Sequence, residues 1–541
     1  MESLRRYGAL ALVLGAVACG DDAGTGGAGA GGESAGGAGG AGGAAAGPRV
    51  ETAQGEVLGA VDGDTHVFLG VPFAAPPVGD LRLRAPRPPE PFDGVFDATT
   101  PAAFCPQLGP LDGKYASNAS EDCLTLNVWT PAAASDAPRP VMVWIHGGGY
   151  VIGSGAEAGY VGRQLSERTG HVVVTVNYRL GTLGFLSLPE LVAESDGAGN
   201  FGLLDQRAAL EWVQANIAAF GGDPEAVTIF GESAGGASVC QHLVSPGSAG
   251  LFQRAIIQSG PCDLVVTEAE AFAAGAPLYS ALGCADGDLA CVREADVATL
   301  MEALPSSDFS VSNLGTGPYP VVDGVVLPDV PSTMLGKGDF TRVPTVLGTN
   351  ADEASLFFTL GGTVLETEDE FRELAEGLVP GFSADIVERY VAIYPTVQEA
   401  AMAAVGDAGF ICPTRRAARA LAPETPTFLY HFTHAPESLL GDLGAFHSAE
   451  IRYVFANPSQ LIPGPLTPEE TALFEAMSGR WGALAAEGAP DVDGAATWPP
   501  YDAQSDEHLV IGLAGGRPDL AVGANLKQSI CDFWDGLPSA L

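Results

Sequence analysis

The sequence predicts an α/β fold, a mostly parallel central sheet with helices on both faces and large helical or loop insertions. Two observations carry this. Short apolar runs bounded by Gly or Pro, "VMVWIH" (141–146), "HVVVTVNYR" (171–179), "VTIFG" (227–231) and "RAIIQSG" (254–260), have the length and composition of strands buried on both faces. Between the second and third lies "NFGLLDQRAALEWVQANIAAFGGDP", where Leu203, Leu210, Val213 and Ile217 share one helical face and the "GGDP" run is expected to stop the helix. Strand, helix and strand in alternation require a crossover and hence parallel pairing.

Taken in chain order, the N-terminus comes first. "MESLRRYGALALVLGAVACGDD" pairs Arg5 and Arg6 with an apolar run from Gly8 to Val17, followed by small residues and Cys19. That is the layout of a secretory signal over residues 1–18, too short to remain as a membrane-spanning helix. A cysteine directly after Ala16-Val17-Ala18 resembles a bacterial lipoprotein box, so Cys19 is the expected lipidation site. The expected location is therefore the cell envelope, with simple secretion as the alternative. Residues 19–47 are then a Gly/Ala-rich tether, too poor in apolar side chains to order itself and on the order of 30 Å in mean reach. The body spans 48–541.

Within that body, Pro-rich 71–92 reads as extended and irregular, wrapping the surface. Beyond the four strands above, further strands are expected at 343–350, 427–432 and 508–513, and the segments 263–342 and 354–426 read as insertions. The 25 Lys and Arg against 66 Asp and Glu give a net charge of −41, which argues against a nucleic-acid partner, since phosphates require a basic footprint. Setting Cys19 aside leaves eight cysteines, an even number in a chain marked for export. Cys105/Cys123 and Cys284/Cys291 close short loops, Cys412/Cys531 ties distant segments, and Cys240 and Cys262 remain to pair with each other.

Chemistry concentrates in "VTIFGESAGGASV". A serine between Gly231 and Gly235, at the end of one expected strand and the start of a helix, fits a sharp turn that lifts a hydroxyl clear of the backbone. Alone, G-x-S-x-G is equally an ordinary turn. "WIHGGGYVIGSG" upstream changes the balance, because His146-Gly147-Gly148-Gly149 gives a loop whose bare N–H groups can crowd a developing negative oxygen. A serine hydroxyl needs a base, and the base needs a carboxylate to orient it. Five histidines follow Ser233. His242 lies too far down the helix, His431 lies inside a strand, and spacing alone leaves His434 and His447 level.

In ordered blocks from residue 48 onward, "FLGVPFAAPPVGDLRLRAP", "SEDCLTLNVWTP", "WIHGGGYVIGSG", "VTVNYRLGTLGFL", "GNFGLLDQRAALEWVQANIAAFGGDPEAVTIFGESAGGASV", "GTNADEASLFF" and "HSAEIRYVF", the chain resembles the type-B carboxylesterase or cholinesterase-like family of the α/β-hydrolase superfamily. The resemblance implies an α/β-hydrolase fold and a carboxylic ester hydrolase acting through an acyl-enzyme. It implies Ser233 as nucleophile, Glu353 as triad acid and His447 as base, with Gly148, Gly149 and Ala234 supplying oxyanion amides. It also matches Cys105–Cys123, Cys284–Cys291 and Cys412–Cys531 to the family's pairs; Cys240–Cys262 rests on elimination. The implied partner is a small-molecule ester, with membrane contact only through a lipidated N-terminus, and no cofactor or metal is called for. The first disulfide loop has no tryptophan to stack on a quaternary ammonium, so choline esters are not implied. Catalytically silent adhesion modules of the same family, and hydrolases of amides, lactones or complex esters, are the alternative readings.

Overall fold

The computed structural model describes residues 47–109, 114–194, 197–304 and 317–538. The expected signal, the Cys19 lipidation site and the tether up to residue 46 lie outside the described residues.

The sheet that organises the body contains β1 (Ala60–Asp62), β2 (Thr65–Pro72), β3 (Thr125–Pro131), β4 (Arg139–Ile145), β5 (Val172–Val176), β6 (Gly222–Glu232), β7 (Arg254–Gln258), β8 (Thr345–Asn350), β9 (Thr427–Phe432), β10 (Glu507–Ala514), β11 (Arg517–Asp519) and β12 (Val522–Ala524). Its order is β11-β10-β9-β8-β7-β6-β4-β5-β3-β2-β1, with β12 also on β10. From β10 to β5 every neighbouring pair is parallel. The margins are antiparallel: β3 on β5, β2 on β3 and β1 on β2 at one side, β11 and β12 on β10 at the other.

Side-chain alternation distributes the core over both faces. Val141, Val143 and Ile145 of β4 enter one apolar cluster with Leu210 and Val213 of the helix Phe201–Asn216 and with Val239 and Leu243 of the helix Ala234–Val244. Met142 and Trp144 enter the other, with Phe230, Tyr430 and the Leu473, Met477 and Trp481 side chains of the helix Pro468–Glu487. A parallel sheet covered on both faces explains why its strands read as unbroken apolar runs.

The helix ends at Asn216 and continues as a 3-10 turn to Phe220, stopped as expected at the GGDP run, by Gly221 in the left-handed conformation (φ 82°). The rest of that run, Gly222, Asp223 and Pro224, already begins β6. One expectation changes: the Pro-rich segment is not all surface, since Val71 and Pro72 close β2, and Phe73, Ala74 and Leu83 are buried. All four expected cysteine pairs are joined as disulfides: Cys105–Cys123, Cys240–Cys262, Cys284–Cys291 and Cys412–Cys531. Among the described residues no helix is long and apolar enough to cross a membrane.

Candidate active site

Register alone brings the important residues to one rim. Ile145 pairs with Gly231, Glu232 with Gln258, and Gln258 with Gly348. The segments leaving the carboxyl ends of β4, β6, β7 and β8 therefore start side by side, and these carry His146–Gly149, Ser233, Ser259 and Glu353 respectively. The chain passes from β4 outward to β5 and returns across β4 to β6, a reversal at which α/β sheets open a crevice for ligands.

Ser233 is the single joint between β6 and the helix Ala234–Val244, at φ 56° and ψ −124°. Such a backbone is costly for a residue with a side chain, on the order of 1–3 kcal/mol, and must be imposed by its surroundings. The surroundings are tight. A Cβ on Gly235 would stand 2.0 Å from the Ile145 carbonyl oxygen, and one on Gly231 would stand 2.6 Å from the Gly235 carbonyl carbon. Only bare glycines let strand and helix approach closely enough to make the turn. The Ser233 N–H donates to the Gln258 carbonyl (2.9 Å), and the residue stays half-buried.

Glu353 lies just past β8 and is fully buried. Its Oε1 accepts from the Ser259 hydroxyl (2.7 Å) and from the Asn350 N–H (2.7 Å), leaving Oε2 to face His447 Nδ1 at 2.6 Å. His447 reaches it because the loop before it is fastened to the β8 exit. Asp352 N–H donates to the Ala445 carbonyl, Ala445 N–H donates to the Asp352 carboxylate, and the Asn350 amide donates to the Phe446 carbonyl. The rings of Phe357 and Phe410 pack against the imidazole at centroid distances of 5.0 and 4.8 Å. Burial pulls the basicity of His447 down, but the carboxylates of Glu232, Glu353 and Glu450 outweigh it and raise its pKa to about 9.

The other histidines are accounted for. His242 is buried, with its ring nitrogens on Ser248 Oγ and Gln206 Oε1, and His434 lies beside Glu470 and Tyr453. His431 is the half-buried position of β9, edge-on to His508. The tie between His434 and His447 is thus broken by position: only His447 meets Glu353.

The glycine loop after β4 is fixed from three sides. The Tyr178 hydroxyl donates to the His146 carbonyl, the Tyr178 and His146 rings stack at 4.3 Å, and Gln107, inside the first disulfide loop, both donates to and accepts from Gly153. Gly148 (φ 101°) and Gly149 (φ 60°) turn the chain, and among the described residues neither N–H finds a backbone acceptor. The Ala234 N–H stands in the first turn of its helix, where no intrahelical acceptor exists. Three such amides beside a raised hydroxyl suit an oxyanion. Among the described residues no group of three His, Cys, Asp or Glu could hold a metal ion.

Comparison with known proteins bears on what such a rim does. Residues 46–534 match the model of the carboxylesterase family. The chain belongs to that family. Among curated members, para-nitrobenzyl esterase of Bacillus subtilis is 36% identical, with 85% of this chain and 94% of that protein aligned. Fumonisin B1 esterase of Sphingopyxis macrogoltabida is 39% identical over 87% of this chain and 88% of its own length. Human cocaine esterase is 35% identical over 91% of each. A solved para-nitrobenzyl esterase structure superposes with a TM-score of 0.78 at 33% identity, covering 90% of this chain and 99% of that one. This member of the carboxylesterase family has the α/β-hydrolase fold and is a serine hydrolase acting on small-molecule esters.

Four groups at the rim were not singled out from sequence. Glu232 and Ser448 adjoin the expected nucleophile and base, which is the signal that pointed to them; Ser259 and Glu450 carry no such mark. Glu232 is buried, and its Oε1 lies 3.1 Å from His447 Nε2 while accepting from Ser448 Oγ at 2.6 Å. Glu450 accepts from the Asn350 and Gln258 side-chain amides. Desolvation raises the pKa of both carboxylates.

Proposed function

We propose that this carboxylesterase cleaves carboxylic esters through an acyl-enzyme on Ser233, with His447 as general base and acid and Glu353 as its orienting carboxylate. The observation that carries the reading is the 2.6 Å contact between Glu353 Oε2 and His447 Nδ1, at the rim where Ser233 is held at positive φ. A carboxylate on Nδ1 fixes the proton there and leaves Nε2 to take the hydroxyl proton as Ser233 attacks the ester carbonyl. The amides of Gly148, Gly149 and Ala234 then hold the tetrahedral oxyanion. His447 returns the proton to the departing alcohol, and water repeats the cycle to release the acid. Glutamate in place of aspartate changes reach, not role.

The relatives include esterases whose names state p-nitrobenzyl, fumonisin and cocaine substrates. The first disulfide loop carries no tryptophan for a quaternary ammonium, so choline esters are not implied here. Four disulfides fit an oxidising compartment. Together with the signal-like N-terminus they support an exported enzyme, tethered through a lipid on Cys19, whose catalytic body is 48–541.

Hydrolysis of short p-nitrophenyl esters tests this, measured for the full chain, a chain starting at Pro48 and Ser233→Ala. The first two turn over equally, and the substitution lowers kcat about 10⁴-fold or more. Equal rates with and without Ser233 reject the mechanism.

A further inference from the structure

Ser448 follows the base directly and sits at φ 73° and ψ 0°, in the left-handed region that a residue with a side chain seldom occupies. It opens the 3-10 turn Ala449–Ile451, where a serine would ordinarily cap the free N–H groups, yet its side chain makes no capping bond. The hydroxyl goes elsewhere. It donates to Glu232 Oε1 at 2.6 Å, and that same oxygen stands 3.1 Å from His447 Nε2. His447 Nε2 itself has no hydrogen-bond partner among the described residues.

These contacts define a competition. His447 has a carboxylate at each ring nitrogen, Glu353 on Nδ1 and Glu232 close to Nε2, and both are buried. Glu232 also lies against the nucleophile: a Cβ on Gly147 would meet Glu232 Oε2 at 2.8 Å and Ser233 Cβ at 3.1 Å. An unrestrained Glu232 can turn Oε1 onto Nε2, either holding a protonated Nε2–H as a carboxylate or, as the carboxylic acid, donating its own proton to the nitrogen. Either arrangement occupies the lone pair that Ser233 requires. We propose that Ser448 is a positioning residue: its hydroxyl occupies Oε1 of Glu232, holds that oxygen, 3.1 Å from Nε2 of His447, in a position from which it makes no hydrogen bond to the ring, and so leaves the nitrogen to Ser233. This rests on the triad reading above.

The consequence for pH follows from the proton states of the pair. One proton is shared in two ways, as imidazolium beside carboxylate or as imidazole beside carboxylic acid, and only the state with neither protonated has Nε2 open. A hydroxyl hydrogen bond stabilises the carboxylate form of Glu232. Its loss favours the protonated acid and also frees Oε1 to bind the imidazolium, so both effects move the acidic limb of kcat/KM to higher pH. The other titratable groups facing the pair are Glu353, Glu450 and the phenols of Tyr160 and Tyr430. Substitution at Ser448 leaves all of them in place.

The test compares wild type, Ser448→Ala, Ser448→Gly, Glu232→Gln and the double variant Glu232→Gln/Ser448→Ala by kcat/KM against pH and by melting temperature. Hydrogen bonds to charged groups are worth about one to two decades, so both Ser448 variants shift the limb upward by about one pH unit and lose about tenfold in kcat/KM at pH 7. Glycine relieves the left-handed strain that alanine keeps, so Ser448→Gly melts above Ser448→Ala while both keep the same shifted limb. In the Glu232→Gln background, Ser448→Ala moves nothing further. An unmoved or downward-shifted limb, activity that tracks melting temperature, or a shift that persists without the Glu232 carboxylate overturns the proposal. Turnover that survives Ser233→Ala instead refutes the triad itself.

Discussion

Replacing Glu353 with glutamine has a consequence that can be worked out atom by atom. Oε1 of Glu353 takes two donors, the Ser259 hydroxyl and the Asn350 backbone N–H. The hydroxyl can turn and accept instead, but the backbone N–H cannot. A glutamine must therefore keep its oxygen at the Oε1 position and point its NH₂ at His447 Nδ1, 2.6 Å away in the parent. Nδ1 then has to be the acceptor, which places the imidazole proton on Nε2 and removes the base. A wrong tautomer in intact geometry costs about 10⁴-fold, about 5 kcal/mol of barrier. The assay is the initial rate of p-nitrophenyl acetate hydrolysis at pH 8, with a thermal melt to show that the fold persists. Glu353→Gln retaining more than about a tenth of wild-type kcat/KM refutes the assigned orienting role.

Two further outcomes follow from the same geometry. Gly148→Ala places a Cβ 2.2 Å from the Ile152 carbonyl oxygen at φ 101°, so the loop must move; if Gly148 is an oxyanion donor as proposed, kcat should fall about 10²–10³-fold with KM little changed, in steady-state assays. Burial lowers the pKa of His146 to about 4 and of His242 and His431 to about 3. These groups stay neutral in the native state while the unfolded chain protonates below its ordinary 6.5. Stability is therefore present above pH 6.5 and declines as pH falls toward 3, by about 1.4 kcal/mol per pH unit for each such histidine. Denaturant melts from pH 7 to 4 check the slope, and His242→Gln should reduce it.

What the sequence disclosed, and what it did not, has a physical basis. The parallel strands were legible because both faces are buried, which leaves unbroken apolar runs such as 141–145 and 172–176. β2, with the sequence THVFLGVP, and β3, with TLNVWTP, gave no such signal: they mix polar and apolar residues, and they pair with each other across 53 to 66 residues of chain, from Pro72 with Thr125 to Thr65 with Pro131. Gly222 to Pro224 look like a turn in isolation and become strand only because Arg139 of β4 pairs with Gly222. At the site, Ser233 and the glycine loop showed themselves through local turn chemistry. The choice between His434 and His447 could not, since it is decided by fastening across the sheet between residues 350–352 and 445–446. Ser259, Glu450 and the Phe357 and Phe410 rings act only through contacts between distant segments, which no local pattern encodes.

The central claim is that Ser233 is activated by His447, and covalent labelling reads it most directly. A fluorophosphonate ester, displaced at phosphorus by an activated serine, should leave its adduct on the peptide containing Ser233, and His447→Ala should suppress labelling by orders of magnitude. An adduct on any other residue, or undiminished labelling of Ser233 without the His447 imidazole, contradicts the account.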